Sequence, residues 1–336
     1  MLGISYAVIS AAFFGFNNAS SRRGALTGTA VQGLAISMPL GLLTFLLMAL
    51  AVGEWSELSR LTTRDVSFLA AGGLMHFVWG RYFNIRSLAA IGSNLAGPVQ
   101  QFQLLLSLSL AILFLGETLS SLKVLGIILI VSAPTYIYNR RAKMNRVAPL
   151  PATDLDVDGP IVQNPSFQPR MKEGYISALL AGVGFGTSPV LIRAGLENTG
   201  LSLVGGFVSY AAATVVVMVI LLIPGQFSSI RNTDRHSLKW FAFSGTSVSF
   251  SHLFRYLALG IAPVSVVQPL QSLSMIFRMI FGFIINREHE QFDRHVTVGI
   301  MLSFLGAIAI SLSELSLLAT INLPPWFAGV AGWRWP

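Results

Sequence analysis

Long apolar stretches alternate with short polar segments along almost the whole chain. A helix needs about 20 mainly apolar residues to cross a bilayer, and ten stretches meet this requirement. They predict helices over residues 2–19, 29–52, 66–89, 94–115, 121–138, 174–192, 201–224, 238–259, 262–285 and 295–313. The pattern therefore predicts an all-α polytopic membrane protein with ten transmembrane helices.

One long polar segment, residues 139–173, divides the predicted helices five and five. It holds 10 of the 36 charged residues and five prolines, and it lacks apolar periodicity, which is typical of a flexible linker. We therefore predict a first five-helix repeat over 1–138 and a second over 174–313. The tail 314–336 contains three tryptophans and a Pro-Pro pair, which favours an interfacial segment over an eleventh span.

The two halves share polar landmarks in one register. At an offset of 171 residues, the residues Phe83, Pro98, Gln100 and Glu117 correspond to Phe254, Pro269, Gln271 and Glu288. Such self-similarity indicates an internal duplication. Because each repeat contains an odd number of crossings, the second must begin on the opposite face of the membrane. The repeats are then inverted, and proteins of this kind bind their solute near the midplane, between the repeats.

Composition agrees with a membrane location and excludes several other classes of protein. Of its residues, 53% are hydrophobic and only 11% are charged, whereas roughly a quarter of the residues of soluble domains are charged. Its net charge of +8 is spread between the apolar stretches, so we predict no nucleic-acid partner. There is no cysteine, no Gly-Lys dipeptide and no His-Glu-x-x-His motif, and we expect neither an enzyme nor a bound cofactor or metal.

Two stretches of the sequence carry a likeness to a known family. The first contains Ser87-Leu88-Ala89-Ala90, Pro98 and Leu115-Gly116-Glu117-Thr118-Leu119-Ser120, and the second contains Ala258-Leu259-Gly260-Ile261-Ala262-Pro263-Val264 and Pro269. With the ten predicted helices, they resemble the EamA-type branch of the drug/metabolite transporter superfamily. The resemblance implies carriage of small solutes without ATP.

Polar and ionisable residues inside predicted spans mark candidate functional sites, because each costs several kcal/mol unless it is paired or hydrated. Arg81 and Arg278 could attract an anionic solute, since an arginine fork fits a carboxylate or phosphate. The alternative is that arginines extend to lipid headgroups, which we favour for Arg86 and Arg255, near helix ends. All 14 acidic residues fall in loops or at helix ends, which disfavours exchange of cationic drugs for protons.

The remaining candidates are amides, histidines and two prolines. We predict that the repeat-related Gln100 and Gln271 bind the solute, and we add the polar residues Gln268, Asn17, His76 and His252. Glutamines and histidines could instead be packing residues bonded between helices. Pro98 and Pro269 are expected to break the ladder of two helices and expose carbonyls to a cavity, or to form simple N-terminal kinks.

Together these features predict a secondary transporter of a small metabolite bearing a carboxylate or phosphate, working by alternating access. Efflux of apolar drugs is an alternative within transport, favoured by 23 phenylalanines; a membrane scaffold or lipid-handling protein is another. We expect the cytoplasmic membrane of a bacterium or archaeon, and a homo-oligomer is compatible with the sequence. Lysine and arginine counts place both termini outside the cytoplasm, whereas the family likeness places them inside.

Overall fold

The computed structural model describes residues 2–100, 102–129, 131–132, 136, 170–286, 298, 301–302, 305–306, 309 and 333–335. The predicted tenth helix lies mostly outside these residues, as do most of the linker and the tail. In the described part the chain is mostly helical. A single two-residue ladder, in which β1 (Leu119–Ser120) pairs antiparallel with β2 (Arg334–Trp335), departs from the all-α prediction.

The helices follow the apolar stretches of the sequence closely. In chain order they are α1 (Leu2–Gly24), α2 (Ala30–Val52), a 3₁₀ segment (Glu54–Arg60), α3 (Thr63–Gly73), a π-helical turn (Leu74–Gly80), α4 (Arg81–Gln100), α5 (Phe102–Leu115), α6 (121–129), α7 (Met171–Leu196), α8 (Ser202–Leu221), α9 (Gln226–Arg231), α10 (Arg235–Ile261), α11 (Val264–Gln271) and α12 (Ser274–Asn286). Within the described residues, five segments are long and apolar enough to span a membrane: α1, α2, α7, α8 and the combined stretch Val264–Ile285.

Helix boundaries are set by recognisable local signals. Thr29 caps α2 through a capping box with Gln32, and Thr62 does the same for α3 with Asp65, which satisfies N–H groups that the first turn leaves free. Inside α4, Gly92 adopts φ 73° and ψ 172°, a conformation open to glycine but not to other residues. This glycine separates the third and fourth predicted helices.

The ninth predicted helix, 262–285, is interrupted. It divides into α11 and α12 at Ser272 and Leu273, where backbone bonds tighten to an i→i+3 pattern, including Ser272 N–H to the Pro269 carbonyl at 3.0 Å. Proline lacks an N–H group and obstructs the helical ladder. The break therefore lies directly after Gln271. In the first half, Gln100 likewise follows Pro98 by two residues.

The packing of the first half on the second follows a paired pattern. Helix α1 packs on α10, and α7 packs on α3 and α4; α1 also packs on α12, and α7 on α5. Helices α2 and α8 pack on each other, while α2 contacts α10 and α3 contacts α8. Each contact made by a helix of one half thus has a counterpart made by the corresponding helix of the other.

Two glutamates of the first half bind helix N-termini of the second half. Glu54 Oε2 accepts the N–H groups of Leu203 and Val204 at 2.8 and 3.1 Å. Glu117 accepts those of Val264 and Ser265, both at 2.7 Å. A carboxylate is favoured at a helix N-terminus by the free N–H groups and the helix dipole. We call these two contacts, Glu54–α8 and Glu117–α11, the glutamate clasps.

We expect Gly73→Ala to destabilise the protein by about 1–3 kcal/mol, because overpacking a close helix contact costs this much. A Cβ atom on Gly73 would lie 2.3 Å from the Ser209 carbonyl oxygen of α8, where backbone cannot yield. Gly182→Ala is the matched control, since its Cβ would meet nothing closer than 3.7 Å. Melting temperatures of the purified variants in detergent test this; equal melting of both would contradict the contact.

Candidate functional site

A buried polar cavity of about 60 Å³ lies where helices of both halves meet. Its wall combines residues of α1, the π-helical turn, α4, α7, α10, α11 and α12. The structure brings all eight predicted solute-binding residues to this wall. They are Asn17, His76, Arg81, Gln100, His252, Gln268, Gln271 and Arg278.

Arg81 lies on one side of the cavity, at the start of α4. Its Nη1 donates to Asn17 Oδ1 at 3.2 Å and its Nη2 to Ser244 Oγ at 2.9 Å. Ser244 Oγ in turn donates to Asn17 Oδ1 at 2.7 Å. We call Arg81, Asn17 and Ser244 the Arg81 pole. The pole joins three helices: α4 carries the guanidinium, and α1 and α10 supply its neutral acceptors.

Arg255 forms a second cationic group, on α10. Its side chain is only 2% exposed, so the expectation that it extends to lipid headgroups is wrong; helix α10 runs six residues beyond it. Nη1 lies 2.9 Å from His76 Nδ1, and Nη2 donates to Ser188 Oγ at 3.4 Å. We call Arg255, His76 and Ser188 the Arg255 pole. Because arginine has no acceptor, the His76 nitrogen that faces it carries no proton.

The two glutamines that the sequence pairs, Gln100 and Gln271, both line the cavity but make different contacts. Gln100 Nε2 donates to Asn84 Oδ1 at 2.8 Å, and Asn84 Nδ2 donates to Asn18 at 3.3 Å. Gln271 Nε2 donates to Ser10 Oγ at 2.6 Å. Gln271 is the last residue of α11, where the helix breaks. A helix end leaves carbonyl groups without intrahelical partners, so this position suits a polar cavity.

The other three predicted residues are buried in the same wall. His252 packs edge-on against Phe14 and His76, with ring centroids 4.9 and 4.5 Å apart. Gln268, on α11, and Arg278, on α12, are 4% and 9% exposed. His252 Nδ1 and Gln268 Oε1 are buried and have no hydrogen-bond partner in the described part of the chain. These two atoms are therefore available to a solute.

The cavity is strongly biased towards positive charge. Arg81, Arg255 and Arg278 all line it, and no acidic residue is among the described residues of its wall. By contrast, Arg86, five residues after Arg81 in α4, pairs with Glu173 at 2.6 Å and is partly exposed. The arginines of the cavity thus differ from a nearby arginine that has an ordinary acidic partner.

Several residues that line the cavity or hold its arginines were not predicted from the sequence. Asn84 follows Arg81 by three residues, so its place on the same helix face was available from helical spacing. Ser188 and Ser244 carried no such signal, because buried serines also occur throughout these helices bonded to their own backbone, as Ser37 does with the Gly33 carbonyl. These two serines take part in the site only because an arginine of another helix packs against each of them.

Apolar helices of spanning length around a buried polar cavity are typical of membrane transporters. The sequence matches the EamA-like transporter family over residues 1–138 and 172–312, and the chain belongs to this family. It is an integral membrane protein of the drug/metabolite transporter superfamily, whose members are transporters rather than enzymes. This confirms the resemblance on which the sequence prediction drew.

Similarity to individual proteins is limited to the fold. No curated protein sequence matches the chain. A solved crystal structure of a protein is similar with a TM-score of 0.64 at 17% sequence identity, over 92% of this chain and 97% of that chain. At this identity the similarity shows a shared fold that extends over nearly the whole length of both chains.

Proposed function

We propose that the protein is a secondary carrier that binds a small metabolite bearing a carboxylate or phosphate in this cavity and moves it by alternating access. One observation carries the proposal: arginines line the cavity and no acidic residue among the described residues of its wall neutralises them. We place the carrier in the cytoplasmic membrane of a bacterium or archaeon.

The energetics of the two poles favour an anionic solute. A charged side chain within a bilayer costs several kcal/mol when nothing compensates it. Arg81 and Arg255 donate only to neutral groups in the described part of the chain, which orient the guanidinium groups without cancelling their charge. An anion in the cavity would supply the negative charge that compensates them, and the planar arginine fork matches the oxygens of a carboxylate or phosphate.

The paired packing of the two halves supports ten spans arranged as inverted repeats. The pattern of helix contacts stays the same when each helix is replaced by its counterpart in the other half, that is, α1 by α7, α12 by α5 and α10 by α3–α4. A pseudo-twofold relation requires this. Helices broken beside a polar site also recur in inverted-repeat carriers, and α11–α12 is broken directly after Gln271. Such a carrier exposes its site alternately by rocking one part against the other.

The lining of the cavity argues against the two alternatives. Three apolar side chains line it, Phe14, Phe185 and Val248, and the other lining residues are polar or charged. An apolar drug would leave these polar groups without partners, which is costly in a buried site. A scaffold protein would gain nothing from buried arginines around a cavity, because a fully packed centre is more stable.

Uptake by purified protein in liposomes tests the proposal. We expect labelled organic acids or phosphorylated metabolites to enter, and a neutral sugar or an apolar drug not to enter. Gln271→Ala should lower uptake about three- to tenfold, the effect of one hydrogen bond, whereas Gln226→Ala, at the start of α9 and away from the cavity, should have no effect. Liposomes that move no amino acid, organic acid or sugar nucleotide would overturn the proposal.

A further inference from the structure

We infer that the solute is a compact dianion whose two acidic groups bind separately, one at the Arg81 pole and one at the Arg255 pole. This inference rests on the proposed function and deepens it, because it assigns a charge and a layout to the solute. Small dicarboxylates and short acids that carry a phosphate share this chemistry.

The two poles are separate structures. Arg81 is held by α1 and α10 through Asn17 and Ser244. Arg255 is held by the π-helical turn and α7 through His76 and Ser188. They share no hydrogen-bond partner among these groups, and they belong to α4 of the first half and α10 of the second. Each pole is therefore fixed independently and would hold its own acidic group.

Charge balance at the two poles favours two negative charges over one. Arginine stays protonated in proteins, so both poles carry a full positive charge. His76 accepts from Arg255 and is neutral at that nitrogen, and no carboxylate is among the described residues of the wall. A monoanion would neutralise one pole and leave the other charged and buried. Arg278, which also lines the cavity, adds further preference for negative charge.

Each guanidinium group keeps one edge available. Both terminal nitrogens of Arg81 and of Arg255 face protein acceptors, whereas the Nε atom of each is buried and has no hydrogen-bond partner among the residues that the structure describes. A guanidinium has five N–H donors, so its Nε edge can still donate two parallel bonds to a carboxylate or phosphate. Two buried Nε groups without partners thus match two acidic groups of one solute.

The available space limits the solute to a short one. The cavity of about 60 Å³ is several times the roughly 10–15 Å³ that a single water needs by the same measure. It therefore suits a skeleton of a few carbon atoms between the two acidic groups. A nucleotide sugar would not fit without a large displacement of the walls.

A series of ligands that differ only in charge tests the inference. Binding to the purified full chain is measured by calorimetry for succinate, its monoamide succinamate and its diamide succinamide, and in a second arm for phosphoglycolate against glycolate. We expect each dianion to bind at least tenfold more tightly than its monoanionic partner, and succinamide not to bind. The stronger arm identifies the second acidic group as carboxylate or phosphate.

Two variants locate the effect. R81Q and R255Q should each remove one pole, so that succinate and succinamate bind within about twofold of each other, whereas R86Q should keep the preference of the wild type. Far-ultraviolet circular dichroism checks that the variants are folded. If monoanions bind as tightly as dianions, this inference is wrong and the proposed function stands. If no acid of either kind binds or is transported, the proposed function itself is wrong.

Discussion

Replacing Arg255 by glutamine should make the empty protein more stable and abolish its uptake of anions. A buried charge that lacks an opposite charge is destabilising, and removing buried ionic groups is often neutral or stabilising by roughly 1–4 kcal/mol. Glutamine can still bond to His76 or Ser188, so the variant loses the charge more than the contacts. Loss of a buried charged partner for the solute should lower uptake by at least about thirtyfold.

Melting temperature without ligand and uptake into liposomes are measured on the same preparation. Arg86→Gln is the matched control, because Arg86 has an acidic partner, Glu173, and is partly exposed; its loss should change stability by less than about 1 kcal/mol and leave uptake unchanged. A lower melting temperature for Arg255→Gln, with uptake retained, would mean that this arginine stabilises the fold and does not serve the solute.

Removing both glutamate clasps should open one entrance to the cavity. In the proposed ten-span topology, Glu54 and Glu117 lie in loops on the same face of the membrane, and each ties the first half to a helix of the second. Alternating access requires this face to separate during the cycle, so the clasps stabilise its closed state. Charge-assisted hydrogen bonds of this kind contribute about 1.5–3 kcal/mol each, and the double variant E54A/E117A should shift the equilibrium by tenfold or more.

The chain contains no cysteine, so a single introduced cysteine reports without background. Ser274→Cys places a thiol on the cavity wall, and a membrane-impermeant maleimide applied from the clasp face measures access. We expect labelling to be at least tenfold faster in E54A/E117A. The control is E57A, which should not change the labelling rate, because the partner of Glu57 is Arg60 in the same segment. Equal rates in all three proteins would show that the clasps do not hold this face closed.

The Glu54 clasp should also respond to pH. Burial raises the pKa of the Glu54 carboxyl above its ordinary value, so this group takes up a proton earlier than an exposed glutamate does as the pH falls. Because this pKa is higher in the closed state than that of an exposed carboxyl, proton uptake favours the closed state. Labelling of Ser274→Cys from the clasp face should therefore fall with acidification, and E54A should remove this fall.

Much of the candidate site could be predicted from residue types alone. In an apolar chain the few polar residues within spans are costly to expose to lipid, so Arg81, Arg278, Gln100 and Gln271 were expected to share a polar interior, and all four line the cavity. The register of the proposed repeats pairs Gln100 with Gln271, each two residues after a proline, and both line the cavity.

Hydropathy along the chain determined that this is a membrane protein and roughly where its helices begin and end. It also determined which side chains must be buried away from lipid. Each of these properties depends on local composition. Tertiary structure alone decided the partners. Arg81 bonds to a serine 163 positions away and Arg255 to a histidine 179 positions away, contacts that no local periodicity encodes. Whether an arginine near a helix end extends to headgroups or becomes a buried pole, as Arg255 does, depends on which helix packs against it.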